Sequence, residues 1–295
     1  MKTSKLCLGT VQFGIPYGIS NKNGQTSEAN AANIMNYAYE NGVTTLDTAC
    51  SYGNSEEVIG KVIGENNWDI ITKTPHFLSN RIDNEHLDKL VFSFKKSIDK
   101  IGRKSLYGLM IHSCDDLFKP GGRDIFFELK KLQSLGLIKK IGVSVYTKDQ
   151  ILRVLDNFDI DLIQLPINIL DQRLIHSGCL EKLKKKGVEI HARSVFLQGL
   201  LLMPLNMIPD YFSPIIKNIK NFNEDANSLS MTALELALNY VVSIHEVDRV
   251  IVGVNTVQHI EDITSCKFKE ITLKDFRGLS VKDPNFLNPS LWPSW

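Results

Sequence analysis

No stretch of the 295-residue chain approaches the ~18 consecutive apolar residues of a transmembrane helix. The start, Met1-Lys2-Thr3-Ser4-Lys5-Leu6, has neither the apolar core nor the small-residue cleavage site of a secretory signal. A cytoplasmic protein with no membrane partner is expected. Charge of one sign is also missing: the net is +1, which gives no general reason to expect nucleic acid as a partner. The run Lys182-Leu183-Lys184-Lys185-Lys186 carries no aromatic residue and reads as a solvated helix face. Cysteines are few and odd in number, the five being Cys7, Cys50, Cys114, Cys179 and Cys266, with no C-x-x-C pair. Reduced thiols and no structural zinc follow. His76, His176, His191 and His245 show no metal-ligand spacing, so surface or packing roles are expected for them and no metal for the chain. Low-complexity tracts, short repeats and domain boundaries are absent as well, which leaves residues 1–295 as one domain.

What the chain does have is alternation. Short apolar runs are followed by polar loops and then by longer segments of helical period. The runs Leu6–Thr10, Val43–Leu46, Asp69–Lys73, Tyr107–His112, Ile141–Ser144, Leu162–Leu165, Val188–Ala192 and Val250–Gly253 read as strands. Helices are expected at Ser27–Asn41, around Glu57–Gly64 with Ser55 as cap, and at Asn84–Ile101 and Asp124–Leu135. Others are expected from Thr147, at Leu180–Lys186, at Thr232–Tyr240 and at Val257–Thr264. Such alternation implies a parallel α/β architecture. Eight units, with no G-x-G-x-x-G after the first strand, favour a closed (β/α)8 TIM barrel over a doubly wound sheet. Two segments stand outside the pattern: Leu200–Asn227, a long loop after strand 7 of the kind that often serves as a lid, and the Pro-rich tail Lys282–Trp295. The tail is expected not to be helical and to pack across a barrel face, burying Trp292 and Trp295.

Strand ends are where such a fold houses chemistry. Here one apolar strand runs into Asp47, with Tyr52 five residues on, another ends in Lys73 and a third in His112. Singly each has an ordinary explanation as turn former or packing residue. Together, as neighbours in a parallel barrel, they would converge. The stretch Asp47-Thr48-Ala49-Cys50-Ser51-Tyr52-Gly53-Asn54-Ser55-Glu56 resembles the aldo-keto reductase superfamily, whose motif there is Asp-Thr-Ala-x-x-Tyr-Gly-x-Ser-Glu. Position by position, Asp47, Tyr52, Lys73 and His112 match that family's catalytic tetrad, and the likeness runs from Leu6 to about Ile263. Cys50 and Cys114 flank tetrad residues and read as bystanders.

The resemblance implies hydride transfer between a nicotinamide cofactor, NADP(H) or NAD(H), and a small carbonyl or alcohol substrate. It makes Tyr52 the acid, Lys73 its electrostatic partner, Asp47 the counter-ion of Lys73, and His112 the group that orients the carbonyl. The residue chemistry agrees: a phenol with a reference pKa near ~10 stays protonated at neutral pH, and an adjacent ammonium favours its ionised form. Cofactor contacts implied in the same way are Gly9, Thr10, Asp47, Ser144, Gln164, Ser194, Gly253 and Asp262. The chain departs from the family where Arg193 stands in place of a tyrosine that stacks under the nicotinamide; a guanidinium plane can also stack. The loop and helix that usually hold the NADPH phosphate, residues 253–263, contain no Lys or Arg, which tilts the expectation toward NADH. Two other readings stand beside a reductase: a nucleotide-binding regulatory subunit with little turnover, and an NAD-linked sugar or pyridoxal dehydrogenase.

Overall fold

In the computed structural model, which describes residues 3–269 and 271–293, eight parallel strands close into a barrel in sequence order, each paired with the next and β8 with β1. The strands are β1 (Leu6–Gly9), β2 (Thr45–Asp47), β3 (Asp69–Lys73), β4 (Leu106–Ile111), β5 (Ile138–Ser144), β6 (Leu162–Pro166), β7 (Glu189–Arg193) and β8 (Arg249–Gly253). A single turn, α1 (Val11–Gly14), follows β1. Around the barrel run α2 (Glu28–Glu40), α3 (Ser55–Val62), α4 (Asn84–Ile101), α5 (Arg123–Ser134), α6 (Lys148–Asn157) and α7 (Cys179–Lys185). They continue with α8 (Ile216–Ser228), α9 (Ala233–Val242) and α10 (Val257–Thr264), and α11 (Pro284–Leu287) is one turn in the tail. The TIM barrel read from the alternation is therefore the fold.

Local chemistry explains the starts of these helices. Ser27 accepts from Asn30 N and Asp83 from His86 N, while Thr147 with Gln150 and Thr232 with Glu235 form reciprocal capping boxes. The main core lies between the strands and the helix ring, fed by the outward side chains of the strands, such as Leu8, Leu46 and Ile70. Inside the barrel Ile71, Met110 and Leu162 form a small apolar layer. Below it the interior is polar. His191 is fully buried there, with Nε2 2.8 Å from Glu189 Oε1, and the Glu189 carboxylate also accepts from Tyr107 and Lys140. Those donors outweigh burial, which alone would raise the Glu189 carboxyl, and hold it well below the usual carboxylate range.

Three expectations change. The segment after strand 7 is not a loop: 3-10 turns at Leu197–Leu202, Leu205–Met207 and Asp210–Ile215 lead into α8, whose Ile219, Phe222 and Ala226 are buried. Its apolar residues have helical spacing, but Pro204, Pro209 and Pro214 break the period before it is established. The tail contains helix after all, since Asp283 caps α11 by accepting from Asn285 N. It does pack: Trp292 meets Phe212 edge-to-face at 4.9 Å, and Tyr211 donates to Asn285 O. Trp295 lies outside the described residues. Ser55 is not the cap of α3 either; Asn54 holds that position without a side-chain hydrogen bond, and Ser55 is buried with another task.

Candidate active site

The register of the barrel brings the carboxyl ends of the strands to one rim, where Gly9 pairs with both Asp47 and Gly253, and Ser144 with Gln164. A cavity of about 540 Å³ opens there, within the size range of small-molecule sites. At its base the Lys73 ammonium donates to Asp47 Oδ1 and Oδ2 at 2.8 and 2.7 Å and to Thr48 O at 2.8 Å. Gln164 Nε2 donates to Asp47 Oδ1 at 2.7 Å. Burial alone would lower the Lys73 pKa, but Asp47 and Tyr52 outweigh it and hold the ammonium above its usual range.

Tyr52 sits on the turn after β2, its ring centroid 5.0 Å from Lys73 Nζ. The turn is held by close backbone approach. Gly53 has φ +55, and a Cβ there would lie 2.3 Å from Gly14 O; one on Gly14 would lie 1.7 Å from Tyr52 O. Ser55 completes the join, donating to Thr10 O at 2.8 Å, while Thr10 Oγ1 donates to Asp47 O at 3.0 Å. Glu56 braces the turn from behind, accepting from Thr72 Oγ1 at 2.6 Å and Ser97 Oγ at 3.0 Å. Burial raises its pKa despite those two donors. Burial likewise raises the Tyr52 hydroxyl above its ordinary value, with the Lys73 charge pulling the other way.

His112 is the first residue after β4. Its Nδ1 lies 3.4 Å from Ser51 Oγ, its ring meets Tyr52 edge-on at 6.0 Å, and it stacks on His76 at 4.1 Å. Burial, then the charges of Lys73, His76 and Arg193, push its pKa down to about 2. The imidazole is therefore neutral, with one ring nitrogen a donor and the other an acceptor.

Of the residues singled out from sequence, Gly9, Thr10, Asp47, Tyr52, His112, Ser144, Gln164, Arg193, Ser194 and Gly253 line the cavity. Lys73 lies behind Asp47 and Tyr52. Asp262 is not brought to the site: it is on α10, where Oδ1 accepts from Gln258. Arg193 stacks on the Tyr146 ring at 4.1 Å and donates to Val145 O and Ser194 Oγ. Sequence reasoning missed several lining residues. His76 was read as a surface or packing residue, yet it is three positions beyond Lys73 on a loop of the same rim, which was the available signal. Tyr17 and Ser20, in the loop after α1, reach Gln198 across the cavity mouth: Gln198 Nε2 donates to the Tyr17 hydroxyl at 3.1 Å and Ser20 Oγ to Gln198 O at 3.4 Å. Nothing in the sequence points to that pairing.

The donor set fits a nucleotide cofactor. Gln12 Oε1 and Asn255 Nδ2 line the cavity, buried and without hydrogen-bond partners, an acceptor and a donor left for a ligand. Among the described lining residues Arg193 is the one permanent cation. No described group of three or more His, Cys, Asp or Glu is placed to hold a metal, and no described helix is long and apolar enough to cross a membrane.

Comparison with known proteins agrees with this geometry. The Aldo/keto reductase family model matches residues 5–280. L-galactose dehydrogenase of Arabidopsis thaliana is 26% identical over 283 residues, covering 89% of this chain and 83% of its own. Among solved structures, glycerol dehydrogenase of Gluconobacter oxydans superposes with TM-score 0.72 at 18% identity, over 97% of this chain and 92% of that one. An aldo-keto reductase of Bacillus halodurans in its holo form gives 0.71 at 19%, over 93% and 90%.

Proposed function

The chain belongs to the aldo/keto reductase family, is an oxidoreductase, and on that premise we propose that it interconverts a polyhydroxylated, sugar-like carbonyl and its alcohol with a nicotinamide cofactor. The observation that carries this reading is the Tyr52 hydroxyl beside a buried Lys73–Asp47 pair and a neutral His112, all at one cavity. When bound, the cofactor supplies or accepts a hydride. Everything else falls to the protein. Its raised pKa keeps Tyr52 protonated at neutral pH, ready to give its proton to the oxygen of a reduced carbonyl. The phenolate left behind is stabilised by Lys73, whose charge Asp47 and Thr48 hold in place. His112, neutral and propped by Ser51, donates a hydrogen bond to the carbonyl oxygen and carries no charge of its own to compete with Lys73. Gln12, Ser144, Gln164 and Asn255 are the groups that would hold the cofactor's polar edges.

Polar lining supports a hydroxylated substrate: Ser113, Asp115, Tyr146 and Gln150 border the same cavity as His76 and His112. The named activities of the relatives, on L-galactose and on glycerol, point the same way. The lack of a Lys among the described lining residues, with Arg193 held on Tyr146, supports NAD(H) over NADP(H), since a 2′-phosphate needs cationic donors. The test is a panel of aldoses, polyols and simple aldehydes with NADH and NADPH, followed at the reduced cofactor's absorbance. The reading expects turnover of sugar-like substrates and a higher kcat/KM with NADH. Tight cofactor binding without turnover of any substrate would overturn the activity. An NADPH preference beyond about a hundredfold, worth roughly 2.7 kcal/mol, would overturn the cofactor choice.

A further inference from the structure

The Arg193 guanidinium is the one permanent cation among the described lining residues, and no described carboxylate neutralises it. Lys73 is matched by Asp47, and the Asp115 carboxylate accepts from Gln150 at 3.3 Å. Arg193, by contrast, makes no ion pair with any described carboxylate; its contacts are the Tyr146 ring, Val145 O and Ser194 Oγ. Those contacts immobilise it at the end of β7, on the cavity wall that also carries Ser194 and Val195. It lines the same cavity as Tyr52 and His112, and its charge pulls the pKa of each downward. Any hydride-donating ring that serves a carbonyl held between Tyr52 and His112 must lie within this field. Water is largely displaced once a ligand fills the cavity, so the field is weakly screened.

The two redox forms of a nicotinamide differ in charge: the oxidised ring is a cation and the reduced ring is neutral. We propose that Arg193 sets the balance between them, disfavouring the oxidised ring in the cavity and leaving the reduced ring unopposed. The proposal rests on the nicotinamide reading above and adds to it a residue-level cause for the poise of the bound couple. A neutral aromatic side chain at this position would not oppose the oxidised ring, because its negative face attracts a cation. A fixed cation discriminates by charge, and stacking on Tyr146 prevents it from swinging away. The consequence is a protein that binds NADH more tightly than NAD+. Its bound couple is shifted to a higher potential by about 30 mV for each tenfold of that preference. Oxidation of an alcohol at the site is thereby favoured on the enzyme, and release of the reduced cofactor is slowed.

The experiment is equilibrium binding to the full chain, by calorimetry or fluorescence, of NADH, NAD+ and ADP-ribose, the last being the same nucleotide without the nicotinamide ring. In the wild type, NADH should bind at least tenfold more tightly than NAD+, and NAD+ no more tightly than ADP-ribose. In Arg193→Gln the ratio of the two dissociation constants should fall at least tenfold, while Arg193→Lys, which keeps the charge, should retain most of it. A ratio in Arg193→Gln within threefold of the wild type overturns the proposal. So does a wild type in which the oxidised ring adds as much affinity over ADP-ribose as the reduced one, a comparison that decides the matter even if the glutamine variant fails to fold. A wild type that binds none of the three overturns the nicotinamide reading itself and this proposal with it. Binding of all three with an unmoved ratio overturns only the role of Arg193.

Discussion

Replacing Lys73 with methionine tests the centre of the site through stability as well as turnover. The side chains of Lys73 and Asp47 are 1% and 6% exposed, so the pair is removed from water almost completely. Methionine fills similar volume and leaves Asp47 with a single hydrogen bond from a side chain, Gln164 Nε2 at 2.7 Å, in place of three. A buried carboxylate stranded in this way costs roughly 3–5 kcal/mol. At about 2–4 °C per kcal/mol for a chain somewhat smaller than this one, the melting temperature should fall by about 6–20 °C. The partner experiment is Asp47→Asn combined with Lys73→Met, which removes both charges and should recover at least half of the loss. The pH dependence has a definite sign. In the wild type the folded pKa of Lys73 is raised, so its contribution is fully present below the unfolded value near ~10.5 and is lost only as pH rises through the folded value. Thermal melts followed by circular dichroism at pH 4.5, 7 and 9 suffice. A variant as stable as the wild type at pH 7, or a double variant no better than the single one, would refute the argument that this pair is dry and charged.

Tyr52→Phe removes only a hydroxyl, so folding and cofactor binding should persist while reduction falls about 10²–10⁴-fold; retention of more than roughly a tenth of the activity excludes Tyr52 as the acid. The rate of reduction should be flat between pH 6 and 9, because Tyr52 titrates above its ordinary value and His112 near 2, and a limb near neutrality in kcat/KM would contradict both assignments. His112→Asn should lower turnover and also reduce acid sensitivity. The folded pKa of His112 is depressed, so its contribution to stability is full above about 6.5 and is lost as pH falls toward 2, and a variant that unfolds in acid at the wild-type midpoint would show that His112 is not desolvated. Glu56→Ala should cost roughly 1–3 kcal/mol by leaving Thr72 and Ser97 without their acceptor, whereas Glu56→Gln, which keeps an acceptor, should lie within about 1 kcal/mol of the wild type in denaturant melts.

The barrel was legible because its strands are largely buried on both sides and therefore read as short apolar runs, several of them closed by a polar residue at the rim. That same rule drew attention to Asp47, Lys73 and His112, which stand at or directly after the ends of β2, β3 and β4. It failed where the chain leaves the strand. The stretch from Leu197 to Ile215 has left-handed backbone at the non-glycine residues Leu197 and Gln198 and three prolines, so its short turns carry no period to read, and the regular helix α8 behind them went unseen. Asp262, expected at the cofactor from a match of residue type, lies on α10 outside the lining of the cavity, where its carboxylate accepts from Gln258 of the preceding turn, a pairing that an i, i+4 Gln–Asp on a helix invites.

Ser55 shows why a motif carries more than its catalytic letters. Serine before a run of glutamates at a helix start suggests a cap, and that is the local reading. In the fold the helix begins one residue earlier in effect, and the Ser55 hydroxyl is spent on Thr10 O across the barrel rim, while Thr10 in turn holds Asp47 O. Glu56, the next letter, turns inward to Thr72 and Ser97. Both residues act on backbone and hydroxyls at the end of β1, in β3 and on α4, none of them close in sequence. Their effect is to fix the turn that carries Tyr52 relative to the strand end that carries Asp47. The distance from Tyr52 to Lys73 depends on that turn, and the lysine can stabilise a phenolate only while the turn holds. On the proposed mechanism, Ser55 and Glu56 are therefore part of the electrostatics of Tyr52 and Lys73, acting through position rather than through charge.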